Sequence, residues 1–377
     1  MTPWPALASK PNVFFIREKS RNIFIMTVRT FFLFTAILAL LSCSKKSGVP
    51  DVSPTPADTT SEDPSQKKWM VTTIAGNGTG SFVNGPVLSA TFHLTGDIAV
   101  AADGSLYVTD LVNFRIRRIA EGQVSTFAGG SGFDIVNGLG TAAQFRFPYS
   151  VTIDGNGNLY TTDENDPRIR KISSVMVVST YAGTSQPGFV NGNVDVAQFA
   201  QGDYIACDET GTLYVSEATN NSIRKISTNG QVTSIAANYQ FLSPAGIAID
   251  KDGNLYVANR LSYNILKITA AGAVSVFAGS GVAGFRDGNS NEAQFSADVR
   301  DLAIDKQGNL YLSDDNRIRK INAQGIVSTI AGSTKGFNDG EGTRAKFDFP
   351  NGLAVDDRNN LYVADLNNNR IRKISFE

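Results

Sequence analysis

The chain has 377 residues and a formal net charge of −1, and only 18% of its residues are charged. This near-neutral charge argues against nucleic acid as a partner, because neutralising phosphates requires a basic surface. Two cysteines and one histidine are too few for a disulfide scaffold or a three-histidine metal site. The 35 glycines indicate many turns, and many turns between short apolar runs are typical of β-strands.

A signal-peptide pattern lies near the start of the sequence. Arg29 precedes an apolar run at 31–41, and 11 residues are too few for a membrane-spanning helix but suit the core of a signal peptide. The run ends in Leu-Leu-Ser-Cys at 40–43, which resembles the lipobox of bacterial lipoproteins. The resemblance implies that residues 26–42 are removed and that Cys43 is lipidated.

Residues 43–69 are predicted to form a flexible, lipid-anchored tether. Four prolines lie between Ser44 and Trp69 among serine, threonine, aspartate and lysine, and this composition buries too little apolar surface to fold. Residues 1–25 show no clear period and are interpreted as an over-called start. Without residues 1–42, the mature chain would hold 29 basic and 34 acidic side chains, a net charge of −5.

One unit is repeated through residues 70–377. Each copy has an apolar run (segment a), the pair Leu-Tyr (b), a basic and apolar run such as Arg317–Ile321 (c) and a run such as Val327–Gly332 (d). The turns between a and b contain Asp-Gly or Gly-Asn, which indicate hairpins. The Leu-Tyr pairs stand at 106–107, 159–160, 213–214, 255–256, 310–311 and 361–362.

Four short β segments in six copies predict an all-β fold, a six-bladed β-propeller of four-stranded blades. A single blade cannot bury both of its faces, but neighbours around an axis can. The first segment of the repeat region is a lone d segment at 71–76, and the last is a c segment at 370–374. We therefore predict that the N-terminal strand joins the last blade and closes the ring.

The residues that carry the repeat also resemble a known family. Gly-Ile-Ala-Ile-Asp-Lys-Asp-Gly-Asn-Leu-Tyr-Val-Ala-Asn at 246–259 resembles the NHL repeat, and so does the segment at 351–374. A lipobox followed by an NHL propeller is similar to envelope lipoproteins of Bacteroidetes-type bacteria. The resemblance implies a protein anchored at the outer membrane. Ser-Lys-Lys at 44–46 lacks the acidic run of a surface-export signal, which favours the periplasmic side.

A carboxylate recurs at the end of segment b, and an arginine recurs at the start of segment c. A catalytic residue is needed only once, so residue types that recur in most blades are interpreted as structural. The carboxylate of segment b and the arginine of segment c are predicted to pair across the b–c turn. The carboxylates are Asp110, Asp163, Asp314 and Asp365, with Glu217 and Asn259 in blades three and four, and the arginines are Arg115, Arg168, Arg317 and Arg370.

Departures from the repeat are the candidate binding residues. Where segment a enters the channel, the blades carry different polar side chains, and these predict a ligand site at the channel mouth. The residues of this site are Asp97, Tyr149, Asp203, Tyr204, Arg300, Asp301 and Asn351.

A second candidate site lies at blade four. Five blades carry an insert of the form Phe-x-Asn/Asp-Gly between d and a (Ile replaces Phe in one), whereas blade four has only 236–241 there. A missing wall segment predicts a notch that could hold a glycan or peptide. The residues of this site are Glu217, Asn238, Tyr239, Asn259, Arg260 and Tyr263.

These patterns favour a binding or scaffold protein, a monomer whose ligand is a glycan, a peptide or another protein. The alternative is an enzyme similar to metal-dependent lactonases or lyases of the propeller class. Its histidine-based form conflicts with a single histidine, His93. A carboxylate form through Asp97, Asp203 and Asp301 stays open, and its oxygen ligands would suit Ca²⁺ or Mg²⁺. No other cofactor is expected.

Overall fold

Residues 67–200 and 202–377 are described by a computed structural model of the protein. They form six antiparallel sheets of four or five strands, the blades of a β-propeller. This confirms the predicted all-β, six-bladed fold. The predicted signal peptide, the lipidation site Cys43 and the tether up to residue 66 lie outside the described residues. Within the described part, no helix is long and apolar enough to cross a membrane.

The strands follow one another in chain order. Those before blade four are β1 (Trp69–Ala75), β2 (Gly85–Pro86), β3 (Thr95–Val100), β4 (Leu106–Asp110), β5 (Arg115–Ala120), β6 (Gln123–Ala128), β7 (Gly138–Leu139), β8 (Pro148–Ile153), β9 (Leu159–Asp163), β10 (Asp166–Ile172), β11 (Val177–Ala182), β12 (Gly192–Asn193), β13 (Ile205–Cys207), β14 (Leu213–Glu217), β15 (Ser222–Ile226) and β16 (Gln231–Ile235). The others are β17 (Pro244–Ile249), β18 (Leu255–Asn259), β19 (Asn264–Ile268), β20 (Val274–Ala278), β21 (Val299–Ile304), β22 (Leu310–Asp314), β23 (Arg317–Ile321), β24 (Val327–Gly332), β25 (Gly340–Glu341), β26 (Pro350–Val355), β27 (Leu361–Asp365) and β28 (Arg370–Phe376). Four single-turn 3₁₀ helices lie at Gly140–Ala142, Arg260–Ser262, Gly342–Arg344 and Leu366–Asn368.

Strands a to d of each blade run from the channel to the rim. The blades are β3–β6, β8–β11, β13–β16, β17–β20, β21–β24, and β26, β27 and β28 with β1. β1 pairs with β28 from Trp69↔Phe376 to Ala75↔Ile371, so the first strand supplies the outer strand of the last blade. The predicted closure of the ring is confirmed. β1 begins at Trp69, just inside the range predicted to be tether.

The hydrophobic core lies between neighbouring blades. One cluster joins Ala99 and Tyr107 of blade one to Val151 and Leu159 of blade two, and five similar clusters lie around the described ring. Each side chain in such a cluster loses its contact with water only when two blades meet. Stability therefore comes from stacking blades around the axis rather than from any blade alone.

Buried arginines fix the insert loops to the blades. Arg117, the second arginine of strand c, is fully buried; its Nη1 lies 2.6 Å from Asp110 Oδ2, and its Nη2 donates to Val83 O and to Asn84 Oδ1 of the insert. Phe82 and Phe92 cover the two sides of its guanidinium, at 4.8 and 5.0 Å. Equivalent arginines are Arg170, Arg224, Arg319 and Arg372.

These contacts correct the predicted pairing across the b–c turn. The carboxylate at the end of strand b pairs with the arginine at the third position of strand c in blades one, three, five and six, and not with the arginine that starts the strand in blades one, five and six. In blade two, Arg168 pairs instead with Asp166. The two arginines lie two residues apart and therefore on the same face of the strand. They differ in burial, because Arg115 stands at the half-buried strand end whereas Arg117 lies further along the strand, where Phe82 and Phe92 cover it.

Blade four lacks both the insert and the buried arginine. Its equivalent residue is Leu266, which packs in the core, and its carboxylate position holds Asn259. A buried arginine needs the insert carbonyls as hydrogen-bond acceptors, whereas the apolar Leu266 needs none. The loss of the insert and the loss of the arginine in blade four are therefore consistent with one another.

Candidate functional site

The channel is bridged by three side chains of the predicted mouth site. Tyr204 Oη donates to Asn351 Oδ1 at 2.9 Å, and Tyr149 Oη lies 3.3 Å from Tyr204 Oη. Asn351 Nδ2 in turn donates to Gly96 O at 2.7 Å. The bonds connect blades one, two, three and six across the axis. This part of the predicted site is a polar crossbar that obstructs the channel.

Asp97 and Asp301 form a separate buried pair in the channel wall. Asp97 Oδ2 accepts from Ser150 Oγ at 2.6 Å and from Val151 N at 2.9 Å, and Asp301 Oδ2 accepts from Leu353 N at 2.8 Å. The two carboxyl groups are hydrogen-bonded to each other. Each carboxyl therefore joins its own inner strand to that of the next blade.

Burial sets the protonation of this pair. It raises the pKa of Asp97 to about 6, although the Ser150 hydroxyl and the Val151 and Ile98 amides oppose the shift. Burial together with the negative charge of Asp97 raises the pKa of Asp301 well above its usual value. Two adjacent carboxylates cannot both ionise cheaply, so the pair keeps its protons to a higher pH than isolated aspartates do.

An open cluster of titratable side chains lies at the mouth itself. Asp203 and Tyr149 share this position with Arg260, Arg300 and Glu164, as their mutual effects on pKa values show. Burial raises the pKa of Asp203 to about 6, Arg260 opposes this shift and Glu164 adds to it. Burial also raises the pKa of Glu164, and the positive charge of Arg300 opposes it.

Neither arginine of this cluster is held tightly. The Arg300 guanidinium stacks on Phe349, with Cζ 3.4 Å from the ring centroid, and its Nη2 is 3.6 Å from Asp298 Oδ1. Arg260 Nε is buried and has no hydrogen-bond partner among the described residues. The Arg300 guanidinium therefore keeps donors that a ligand can use, whereas the Nε of Arg260 is buried.

The predicted mouth site thus contains three different arrangements. Asp203 and Arg300 belong to the open cluster, Tyr204 and Asn351 to the crossbar, and Asp97 and Asp301 to the buried pair, while Tyr149 is common to the crossbar and the open cluster. Sequence reasoning missed Glu164, which directly follows the carboxylate of strand b. The signal for it is variation at that position, since buried leucines, Leu111 and Leu366, stand there in blades one and six.

The predicted notch residues are also divided. Glu217 is fully buried: its Oε1 accepts from Ala200 N at 2.6 Å and its Oε2 lies 3.0 Å from Arg224 Nη1, so it belongs to the blade framework. Asn259 is fully buried too, with Oδ1 accepting from Leu242 N at 2.7 Å. These two residues do not line an accessible notch, because they take the place of the framework aspartates.

The other notch residues have different surroundings. Tyr239 packs on Phe241 at 5.0 Å and against the core of blade four, while Asn238 is exposed. Tyr263 adopts a left-handed backbone conformation, with φ 53°, at the end of a 3₁₀ turn. Arg260 belongs to the mouth cluster. The short loop of blade four is therefore sealed partly by its own aromatic residues.

The carboxylates proposed for a metal site do not form one. Asp203 Oδ2 accepts from Ala218 N at 2.7 Å, away from the Asp97–Asp301 pair, whose oxygens accept from backbone amides. Among residues 67–200 and 202–377, no group of three or more histidine, cysteine, aspartate or glutamate side chains is placed to hold a metal ion. The described donor set gives the metal-dependent alternative no geometric support.

Exposed phenylalanines surround the mouth on the insert-loop face. Each lies in a different blade, and their side chains are between 39% and 54% exposed. Four of them cover an arginine of strand c, as Phe285 does with Arg317 at 4.2 Å. The five are Phe82, Phe133, Phe189, Phe285 and Phe337.

The fold and the repeat together define the class of protein. Residues 347–374 match the family model described as the NHL repeat. This segment of the last blade therefore matches the NHL repeat, the family that the repeated unit was predicted to resemble.

The relatives found by sequence match only part of this chain, and the matched region is a small share of each relative's own length. Protein SUPPRESSOR OF QUENCHING 1, chloroplastic, of Arabidopsis thaliana is 30% identical over 169 residues, which are 41% of this chain and 16% of that protein. Human Teneurin-4 is 27% identical over 263 residues, 63% of this chain and 8% of Teneurin-4.

Similar solved structures include propellers from Bacteroides thetaiotaomicron. A protein of unknown function has a TM-score of 0.65 and 21% identity, covering 83% of this chain and 77% of its own. An auxiliary nutrient binding protein has a TM-score of 0.64 and 19% identity with the same coverage. A streptogramin B lyase has a TM-score of 0.54 and 16% identity, covering 82% of this chain and 98% of its own. At these identities the likeness shows the fold alone.

Proposed function

We propose that this protein is an envelope binding or scaffold protein that holds a glycan, peptide or protein ligand at the channel mouth on its insert-loop face. One observation carries the proposal: Tyr149, Glu164, Asp203, Arg260 and Arg300 come from four blades to one opening, and the Arg300 guanidinium comes no closer than 3.6 Å to its carboxylate partner, Asp298. A cleft with a few converging polar groups is the usual form of a ligand site.

Two further features support binding rather than catalysis. The crossbar of Tyr149, Tyr204 and Asn351 bridges the channel, so a ligand would rest on the face rather than enter the axis. The exposed phenylalanines around the mouth offer apolar contact to a larger ligand. The similar Bacteroides propeller described as an auxiliary nutrient binding protein agrees with a ligand-binding role in the cell envelope.

The test is a binding screen on the wild-type protein and on Arg300→Ala. Isothermal titration with glycan and peptide panels should identify a ligand that Arg300→Ala binds at least tenfold more weakly, because a charged hydrogen bond contributes about 1.5–3 kcal/mol. Lys251→Ala, which replaces an exposed lysine on a turn of blade four, should bind as the wild type does. Equal affinities of wild type and Arg300→Ala for every ligand found would contradict a site at the mouth.

Anchoring at the membrane is the second part of the proposal. It rests on Leu-Leu-Ser-Cys at 40–43, after an apolar run of signal-peptide length. Cys43→Ala should move the protein from the membrane fraction to the soluble fraction, since stable anchoring depends on the acyl chains. Ser44→Ala is the matched control and should stay in the membrane fraction. A membrane-bound Cys43→Ala protein would rule out lipid anchoring through this cysteine.

A further inference from the structure

A groove of about 660 Å³ lies between blades five and six, at the end of the ring opposite the insert loops. It is separate from the mouth and contains none of the residues of the mouth cluster. Its walls come from the a–b turns of both blades and from strands β1, β22, β23, β24 and β28.

The groove exists because blade six has no c–d turn. Its outer strands β1 and β28 come from opposite ends of the repeat region and run on past the position where other blades turn. Lys68 N and Glu377 N each donate to the other residue's backbone oxygen, which extends the pair by one more step. Trp69 and Phe376 thereby form a wall that other blades lack.

The wall is aromatic and partly open to water. The Trp69 ring centroid lies 4.9 Å from that of Phe376 and 6.4 Å from that of Tyr311, and Phe376 is 51% exposed. In blades one, two and four the equivalent tyrosine is covered by an aromatic residue of its own outer strand, as Tyr107 is by Phe127. Blade five has Ile330 at that place, so Tyr311 faces Trp69 across the blades.

Three cations stand in the groove without acidic partners. Lys320, Arg358 and Lys373 line it, and none of them forms an ion pair with a carboxylate of the described residues. Lys320 Nζ lies 5.7 Å from the Trp69 ring centroid, beside the aromatic wall. Two carboxylates also line the groove, Asp305 and Glu377, but neither lies within ion-pair distance of the three cations among the described residues. Asp305 accepts from the Asn309 amide and the Tyr311 hydroxyl, and Glu377 accepts from the Ser375 hydroxyl. Gln307, Asn322 and Asn359 add side-chain amides.

We propose that this groove binds an acidic oligosaccharide, one whose sugar rings carry carboxylate or sulfate groups. A flat aromatic ring offers a face to the C–H surface of a sugar, and amides of fixed position donate to and accept from its hydroxyls. The lysines and the arginine supply the charge that the acidic groups need. The site is independent of the mouth and takes its own ligand.

The groove contains its own fluorescent probe. The chain has two tryptophans, Trp4 and Trp69, so the variant Trp4→Phe leaves Trp69 as the sole tryptophan of the full chain. Tetragalacturonate, titrated into this variant, should shift or quench the emission of Trp69 and saturate. The neutral maltotetraose should leave the emission unchanged at the same concentrations.

Added substitutions locate the binding. Arg358→Ala, which changes an exposed turn residue, should weaken tetragalacturonate at least tenfold, while Lys251→Ala on the equivalent turn of blade four should not. Arg300→Ala at the mouth should bind normally, which separates this test from that of the proposed function. An unchanged emission, an equal response to maltotetraose, or equal affinities of Arg358→Ala and Lys251→Ala would each overturn the proposal.

Discussion

Buried carboxylates occur in two regions of this propeller, and each region compensates their charge differently. At the end of strand b under the inserts, Asp110, Glu217, Asp314 and Asp365 each lie within 3.0 Å of a buried arginine. In the channel wall, Asp97 and Asp301 have no arginine partner among the described residues; they accept from backbone amides, and burial raises the pKa of both.

The contrast teaches what each carboxylate is for. A carboxylate with an arginine helps to hold a long loop, because the same guanidinium also donates to insert oxygens, as Arg372 does to Asn338 O and Asp339 Oδ1. The carboxyl groups of Asp97 and Asp301 hold no insert loop. Each accepts from a backbone amide of the next blade and so joins two neighbouring inner strands. The two regions should therefore respond differently to substitution and to pH.

The largest effect is expected from Arg372→Leu, which gives blade six the residue that blade four has at this place. It would leave Asp365 buried without its cation and free the oxygens of the insert. We expect the free energy of unfolding to fall by about 3–5 kcal/mol, measured by denaturant titration. Arg370→Leu, which changes the more exposed arginine at the start of the same strand, should cost much less. Equal losses of unfolding free energy for the two variants would contradict a special role for the buried arginine.

A smaller effect should follow from the double variant Arg372→Leu with Asp365→Asn, which copies both changes found in blade four, Leu266 and Asn259. Removing the unpaired charge should recover part of the stability lost by Arg372→Leu alone, because the remaining cost is that of neutral polar groups. The same denaturant titration gives the difference. A double variant less stable than the single one would show that Asp365 is not destabilised by loss of its arginine.

The smallest effect concerns pH and the Asp97–Asp301 pair. Since burial raises the pKa of Asp97 to about 6, the folded state binds a proton more tightly than the unfolded state between about pH 4 and 6. The pair's contribution to stability is therefore fully present below that window and is lost as the pH rises through it. Asp97→Asn should make the stability of the protein fall less steeply across this window.

Thermal unfolding at several pH values measures that slope. Asp357→Asn, at a carboxylate that is 82% exposed, serves as the control and should keep the wild-type slope. Parallel curves for wild type and Asp97→Asn would mean that the channel pair does not titrate in this range.

Particular residues show best which features of the fold could be predicted from the sequence. The loss of the insert in blade four was visible as a short interval between Leu-Tyr pairs, and the chain order predicted that β1 closes the ring. The partner of Asp110 was not predictable in the same way. Arg115 and Arg117 are both near in sequence and share one face of their strand, and only the burial of Arg117 beneath the insert selects it.

The candidate site was predicted less completely than the fold. Asp97, Asp203 and Asp301 hold similar places in their repeats, which suggested one site, yet the structure divides them between the wall and the mouth. Asp97 belongs to blade one and Asp301 to blade five, and the two meet across blade six. Gly352 of blade six makes this possible, because a Cβ atom at position 352 would collide with Asp97. Such a contact depends on how closely the inner strands converge.

The sequence by itself determined the number of blades, the order of their strands and the closure of the ring, because these follow from periodic patterns along the chain. Only the tertiary structure decided which polar groups face each other, since that depends on distances between strands of different blades. It brought Glu164 and Arg260 to the mouth beside Asp203, and it placed Trp69 across from Tyr311 in the groove. Contacts between blades join residues far apart in sequence, and no local pattern records them.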